Sequence, residues 1–227
     1  MLVFAIDTAL EACSAAMFDS ERGEMIARES IPMARGHAEA LMPLIERVRE
    51  QCGYDFAQID RIAVTTGPGS FTGLRVGIAA ARGLGLAAGK PVVGLSTLAA
   101  FAAPYIAADP TLPVVAVIDA RHDHVYLEIF GTGGHSLVSP RVVPIAEALR
   151  LSAGGTPRVV GTAANVLAAA WDPSDKMPVS VEQKSAPDIT WVAQLGATAD
   201  VTTSPAKPLY LRAPDAQPQN AAGLARR

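Results

Sequence analysis

The chain has 227 residues, 50% hydrophobic, 18% charged and only 5% aromatic, which excludes disorder for its bulk and leaves room for one large domain or two small ones. Nineteen Lys and Arg stand against 22 Asp and Glu, a net charge of −3 with neither half basic, so the chain is poorly suited to gripping RNA or DNA by its phosphates. Cys13 and Cys52 fit neither a disulfide framework nor a CxxC metal spacing, MLVFAIDTA has no basic leader, and Arg75 and Arg82 interrupt the apolar stretch from Phe71 to Gly89; a reducing cytoplasm is expected, with no membrane span.

Residues 2–8 read as a buried strand that reaches Asp7, followed by a turn and a returning strand from near Cys13. A third strand over 24–31 leads to an amphipathic helix from His37 to Gln51, with Leu41, Leu44, Ile45 and Val48 as its apolar stripe. IDRIAVTT predicts a strand, GPGSFTG a turn, and the following residues a long helix to Gly89; PVVG is a short strand and a further helix starts at Ser96. The second half repeats this order more loosely. A strand over 113–119, a return over Val125 to Phe130, a helix near Ile145 to Leu151, the strand RVVG and a helix from Thr162 to Ala170 follow in turn. Ile6 and Ile118, Asp7 and Asp119, and Phe18 and Phe130 all lie 112 positions apart, the mark of an internal duplication.

A strand meander followed by alternating helix and strand is a ribonuclease-H-like order, and two copies give an α/β fold of actin-like architecture. The expected lobes are residues 1–103 and a degenerate 104–212. A helix over Pro187 to Thr198 and a short element at PLYLR complete the second, and residues 213–227 read as a frayed tail.

TTGPGSFTGLRVG is the densest motif. A buried strand, a glycine-rich turn and a helix start can hold an anion, yet the glycines at 67, 69 and 73 are one residue too long for a dinucleotide fingerprint, no Walker lysine follows, and Ser70 is not in GxSxG. A tight turn capping a helix is the competing reading. Beyond it, Gly73, Gly77, Ala81, Gly85 and Gly89 recur every four residues. Such a stripe requires close approach by another element, either the chain's own sheet or a partner.

Asp7 and Asp119 end the first strand of each copy, where actin-like ATPases hold metal and phosphates. With Gly67 and Gly69 they are the candidates for weak ATP or ADP binding between the lobes. The turns TALEA and ARHDH, however, lack glycine and carry Glu11 and Asp123, which argues against hydrolysis. His122 and His124 would share a strand face, but no third ligand stands at metal spacing, and His37 and His135 read as solvated or capping; no metal is expected.

The segments AIDTALEACSAAMF, RGHAEALMPLI, TTGPGSFTGLRVGIAAARGLGLAAGKPVVGLSTLAAFA, IDARHDHVY and PLYLRAPDAQPQ, in order over nearly the whole chain, resemble the bacterial TsaB (YeaZ) family. The resemblance implies a duplicated ribonuclease-H-like, actin-like fold. It also implies a subunit of the complex that places threonylcarbamoyl on the adenosine beside the anticodon of tRNAs reading codons that begin with A. In the related catalytic subunit TsaD, the matching stretch carries NHMEGH, whose histidines bind metal. Thr97 and Phe101 stand at those positions here, so the resemblance implies no catalytic centre.

The same likeness implies that the first two helices pack against a TsaD, or a second copy, with Leu41, Leu44, Ile45, Val48, Leu74 and Ile78 as candidate interface residues. The expected role is a non-catalytic scaffold that needs no cofactor, docks and activates TsaD, helps recruit the ATPase TsaE and leaves tRNA to its partner. The alternatives are a free-standing weak ATPase or peptidase of actin-like fold, and a homodimeric regulator with weak nucleotide affinity.

Overall fold

A computed structural model describes residues 1–212. Strands β1 (Leu2–Asp7), β2 (Ala12–Asp19) and β3 (Glu24–Pro32) form an antiparallel meander and lead into helix α1 (His37–Cys52). Strand β4 (Arg61–Gly67), helix α2 (Phe71–Ala88) and strand β5 (Val92–Ser96) add two parallel strands, giving a sheet ordered β3-β2-β1-β4-β5. Helix α3 (Thr97–Ala108) crosses to the second half. There β6 (Val114–Asp119), β7 (His124–Phe130) and β8 (Ser136–Pro144) form another meander, followed by α4 (Ile145–Ser152), β9 (Arg158–Gly161), α5 (Ala164–Ala169) and β10 (Ser180–Gln183). The second sheet, β8-β7-β6-β9-β10, has the connectivity of the first, and β1 and β6 keep the 112-residue offset read in the sequence. Helix α6 (Ile189–Thr198) follows.

Local chemistry sets the helix ends. Ser70 and Ser96 accept from the amides of Gly73 and Ala99, capping α2 and α3, while Gly53 and Gly89 take the left-handed conformation that ends α1 and α2. One face of the first sheet packs Phe4, Ile6, Met17 and Val64 against Leu41, Leu44, Ile45 and Val48 of α1 and Leu74 and Ile78 of α2. The other face packs Val3, Ala5 and Ala63 against Ile189, Val192 and Ala193 of α6, a helix from the far end of the sequence. Arg61 fixes it there by donating to the carbonyls of Gly196, Ala197 and Ala199 at 2.7–3.3 Å, neutralising the helix C-terminus. The second sheet buries Val117, Leu127 and Val159 under α4 and α5, and turns Val114, Ala116 and Ile118 toward Leu98 and Phe101 of α3.

Several expectations are corrected. Strands β8 and β10 are additional to those read from the sequence, and PLYLR forms no strand. His122 lies in a turn rather than on a strand beside His124, because Arg121, His122 and Asp123 all adopt positive φ (61°, 52° and 56°). The tail 213–227 lies outside the described residues.

Candidate functional site

The chemistry of the candidate site begins with Asp7, the last residue of β1. Its carboxyl is fully buried; one oxygen accepts from the Thr65 hydroxyl and from the Ala9 amide at 3.1 Å, and the other has no hydrogen-bond partner among the described residues. Burial pushes this carboxyl above the ordinary carboxylate range, against the pull of those two hydrogen bonds and of His37.

The turn after Asp7 is clasped from three sides. The Thr8 hydroxyl donates to the Gly73 carbonyl at 2.7 Å, the Ser70 amide donates to the Ala9 carbonyl at 2.7 Å, and His37 Nε2 lies 2.9 Å from the Leu10 carbonyl. His37 is therefore a buried fastening of α1 rather than a solvated side chain.

The glycines explain themselves by this clasp. A Cβ on Gly69 would stand 2.3 Å from the Ala9 carbonyl oxygen, one on Gly73 2.1 Å from the Thr8 carbonyl oxygen, and one on Gly77 2.4 Å from the Thr8 hydroxyl. Gly85 likewise meets Val92, so the stripe from Gly73 to Gly85 serves approach within the chain, whereas Gly89 meets nothing and ends the helix in the left-handed conformation. Gly67, at φ +116°, lies beneath Leu74 and the Leu209 carbonyl. The backbone of this junction is thus occupied by the chain's own turn and C-terminal segment.

Asp119 is differently placed. It is exposed, accepts from the Arg121 amide at 2.8 Å, and its own amide bonds the Thr162 hydroxyl at 2.9 Å. The two aspartates share no hydrogen-bond partner among the described residues. Nor does any group of three His, Cys, Asp or Glu side chains there fit a metal ion. Thr97 is fully buried and its hydroxyl has no partner among the described residues, and Phe101, 2% exposed, is core against the second sheet. Cys13 is buried, and desolvation pushes its thiol up to about 11, so it is unreactive.

The six residues expected at a partner interface are interior instead: Leu41, Leu44, Ile45, Val48, Leu74 and Ile78 are at most 4% exposed. Their stripe is the one that α1 and α2 turn onto the sheet, and the same periodicity marks a core face whichever way a partner docks. The open sides of these helices carry Met42 and Phe71, 52% and 48% exposed. Arg75 stacks 3.7 Å over the Phe71 ring and donates to the Tyr210 hydroxyl at 3.3 Å, while Tyr210 lies against Phe71 with ring centres 5.7 Å apart.

Tyr210 belongs to a strap whose course the sequence did not show: the short element expected at PLYLR was assigned to the second lobe, whereas most of its ties are to the first sheet. The Ser204 carbonyl accepts from Gly94, Pro205 bridges to Val93, the Leu209 amide donates to the Thr66 carbonyl, and Arg212 donates to the Ala120 carbonyl of the second sheet's first turn. Residues 204–212 thereby run from the edge of one sheet to the turn of the other. The alternation in PLYLR was the only sign of it. Ser96 and Ser136 make a second tie, donating to the buried Glu128 carboxyl of β7, which burial also pushes up.

Residues 31–202 match the family model described as TsaD: tRNA N6-adenosine threonylcarbamoyltransferase. The tRNA threonylcarbamoyladenosine biosynthesis protein TsaB of Escherichia coli is 38% identical over 126 residues, which cover 56% of this chain and 53% of that protein. The chain therefore spans about half the length of the curated TsaB relatives it matches. An uncharacterized protein of Mycobacterium tuberculosis is 31% identical over 219 residues, 95% of this chain and 94% of its own length. Among solved structures, YeaZ from Pseudomonas aeruginosa superposes with a TM-score of 0.76 at 26% identity, covering 92% of this chain and 99% of its own. With a duplicated fold, a clasped glycine-rich junction and relatives of this kind, the chain belongs to the TsaB/YeaZ family.

Proposed function

We propose that the chain is a non-catalytic subunit in tRNA threonylcarbamoyladenosine formation, docking and activating a TsaD-type transferase and helping to recruit TsaE. The observation that carries this reading is the start of α3. Thr97 and Phe101 are buried at 0% and 2% exposure where the transferase resemblance would require metal-binding histidines, so the position has neither ligands nor access. The clasped junction supports the same reading. Asp7, Gly67 and Gly69 are engaged by the chain itself, and a subunit of this kind requires no nucleotide or metal of its own. A net charge of −3 fits a protein that leaves the tRNA to its partner.

The docking face on this reading is the open side of α1 and α2, around Met42 and the Phe71, Arg75 and Tyr210 cluster. Exposed apolar and aromatic side chains with a stacked guanidinium are the composition of interface anchors. The same face would serve a homodimer when TsaD is absent.

Size exclusion of the chain with and without TsaD, followed by threonylcarbamoyl transfer to tRNA, tests the proposal. Co-elution and a rise in TsaD activity are expected, with no transfer by this chain alone. Transfer, ATP hydrolysis or peptide cleavage by the chain alone at ordinary enzyme rates would overturn it, as would a TsaD indifferent to its presence.

A further inference from the structure

At the C-terminal end of α2 a groove of about 770 Å³ opens between the helix, the start of β5 and residues 201–207. Its apolar lining includes Leu86 and Val201, 87% and 42% exposed, with Val92, Pro205 and Ala206. Gly83 and Gly89 leave it open, since a Cβ on either would meet nothing within 4 Å. Leu86 and Val201 thus form part of one apolar floor left open to solvent, and a patch of this kind with a polar rim marks an interaction site.

The rim is of one sign. Arg82, Lys90 and Lys207 border the groove from three different elements, and among the described residues no carboxylate lines it. None of the three side chains makes an ion pair or hydrogen bond among the described residues, whereas Arg47, Arg49 and Arg158 are all paired. The helix carbonyls nearby are taken by the backbone amides of Gly89 and Lys90, so the lysine charge is not spent on capping.

The geometry points to a docking site for an acidic peptide segment of a partner protein, with an apolar side chain seated on Leu86 and Val201 and flanking carboxylates reaching Arg82, Lys90 and Lys207. Cations spread over three elements around an open trough ask for several carboxylates along an extended chain, which a single small acid does not supply. The chain's own C-terminal residues do not fit, because 213–227 hold one acid, Asp215, against Arg226 and Arg227. Three cations around an apolar floor are also too few and too dry for RNA, whose binding grows with the number of phosphates neutralised. The groove lies at the opposite end of α2 from Phe71, so it goes beyond the docking face proposed above.

The test is fluorescence anisotropy on the full chain with a labelled peptide, Glu-Glu-Leu-Glu-Leu-Leu-Glu-Glu. Saturable binding that weakens with salt is expected, about tenfold weaker for Leu86→Asp and for the double variant Lys90→Glu, Lys207→Glu. Gly83→Phe, which fills the trough without touching the charges, should weaken it similarly, and circular dichroism checks that each variant is folded. Peptides with Ser for Leu, or Lys for Glu, should bind about tenfold less. Absence of binding, equal binding by all variants, or displacement by laurate or by a single-stranded RNA oligonucleotide as effective as the peptide would overturn the assignment.

Discussion

Thr8 and Gly73 lock the first turn of the chain to its long helix: the threonine hydroxyl donates to the glycine carbonyl at 2.7 Å, and the threonine carbonyl oxygen lies 2.1 Å from where a Cβ on Gly73 would stand. The contact is backbone against backbone, so no side chain can rotate away to relieve a larger residue. Gly73→Ala is therefore expected to destabilise the fold by at least about 2 kcal/mol, overpacking outweighing the helix propensity gained. Gly83→Ala, in the same helix but facing open space, should stabilise by about 0.5–1 kcal/mol. Urea unfolding of both variants checks the pair; equal and small effects would mean that the turn is not clasped as described.

The interior stripe and the open side of α1 make opposite predictions. Leu44 is fully buried, and Leu44→Ala should cost about 2–5 kcal/mol through lost burial and the cavity left behind. Met42 is 52% exposed, and Met42→Asp should change stability by no more than about 0.5 kcal/mol while abolishing co-elution with TsaD. A folded Met42→Asp variant that still binds TsaD would move the docking face elsewhere.

Much of this architecture was legible because its first half is built from local signals. The apolar stripe of α1, the serines before α2 and α3 and the glycines after α1 and α2 each set a boundary by chemistry within a few residues. Strand β8 was hidden by Pro140 and Pro144, which suggest a loop but are tolerated because this strand is at the sheet edge. Strand β10 has four residues, and its parallel pairing with β9 is set by tertiary packing, leaving no run of apolar residues to read. The candidate site divides the same way. Asp7 and the glycine-rich turn stood out in the sequence, but their being occupied depends on contacts across 58 to 143 positions, from Asp7 to Thr65 and from Thr66 to Leu209. The stripe on α1 was legible as an apolar face, but periodicity does not tell a face packed on the chain's own sheet from one that meets a partner, and the residues expected at an interface are buried in the core.

Asp7 gives a pH signature. Because burial raises its folded-state pKa above the unfolded value, the unfolded chain binds fewer protons than the folded chain between those two values, and stability falls as pH rises through that window. Asp7→Asn carries no charge and keeps an acceptor for Thr65 and Ala9, so its stability relative to the parent should rise as pH goes from the ordinary Asp pKa up to the raised folded-state pKa, then stay level above it. Denaturant midpoints across this range, compared between the two proteins, provide the check. A difference that is flat with pH would mean that the carboxyl is not desolvated.

The strap over residues 204–212 should be separable from the sheets it joins. Gly94 is its tightest contact: its amide donates to the Ser204 carbonyl at 2.9 Å, and a Cβ there would lie 2.5 Å from both the Pro205 carbonyl oxygen and a Thr66 methyl. A valine at this position cannot be accommodated by a rotamer change, because Pro205 presents backbone and Thr66 is itself held by the Leu95 carbonyl. Little core lies beneath the strap, since of its residues only Ala206 joins the main cluster of the first sheet. Gly94→Val is thus expected to release the strap before it unfolds the sheet, at a cost of about 1–3 kcal/mol. Hydrogen exchange reads this directly. The Leu209 amide, bonded to the Thr66 carbonyl at 2.8 Å, should lose its protection while the amides of β1 keep theirs. Chymotrypsin should then cut after Tyr210 faster than in the parent chain. Loss of protection across β1 as well would show that the strap and the first sheet open as one unit.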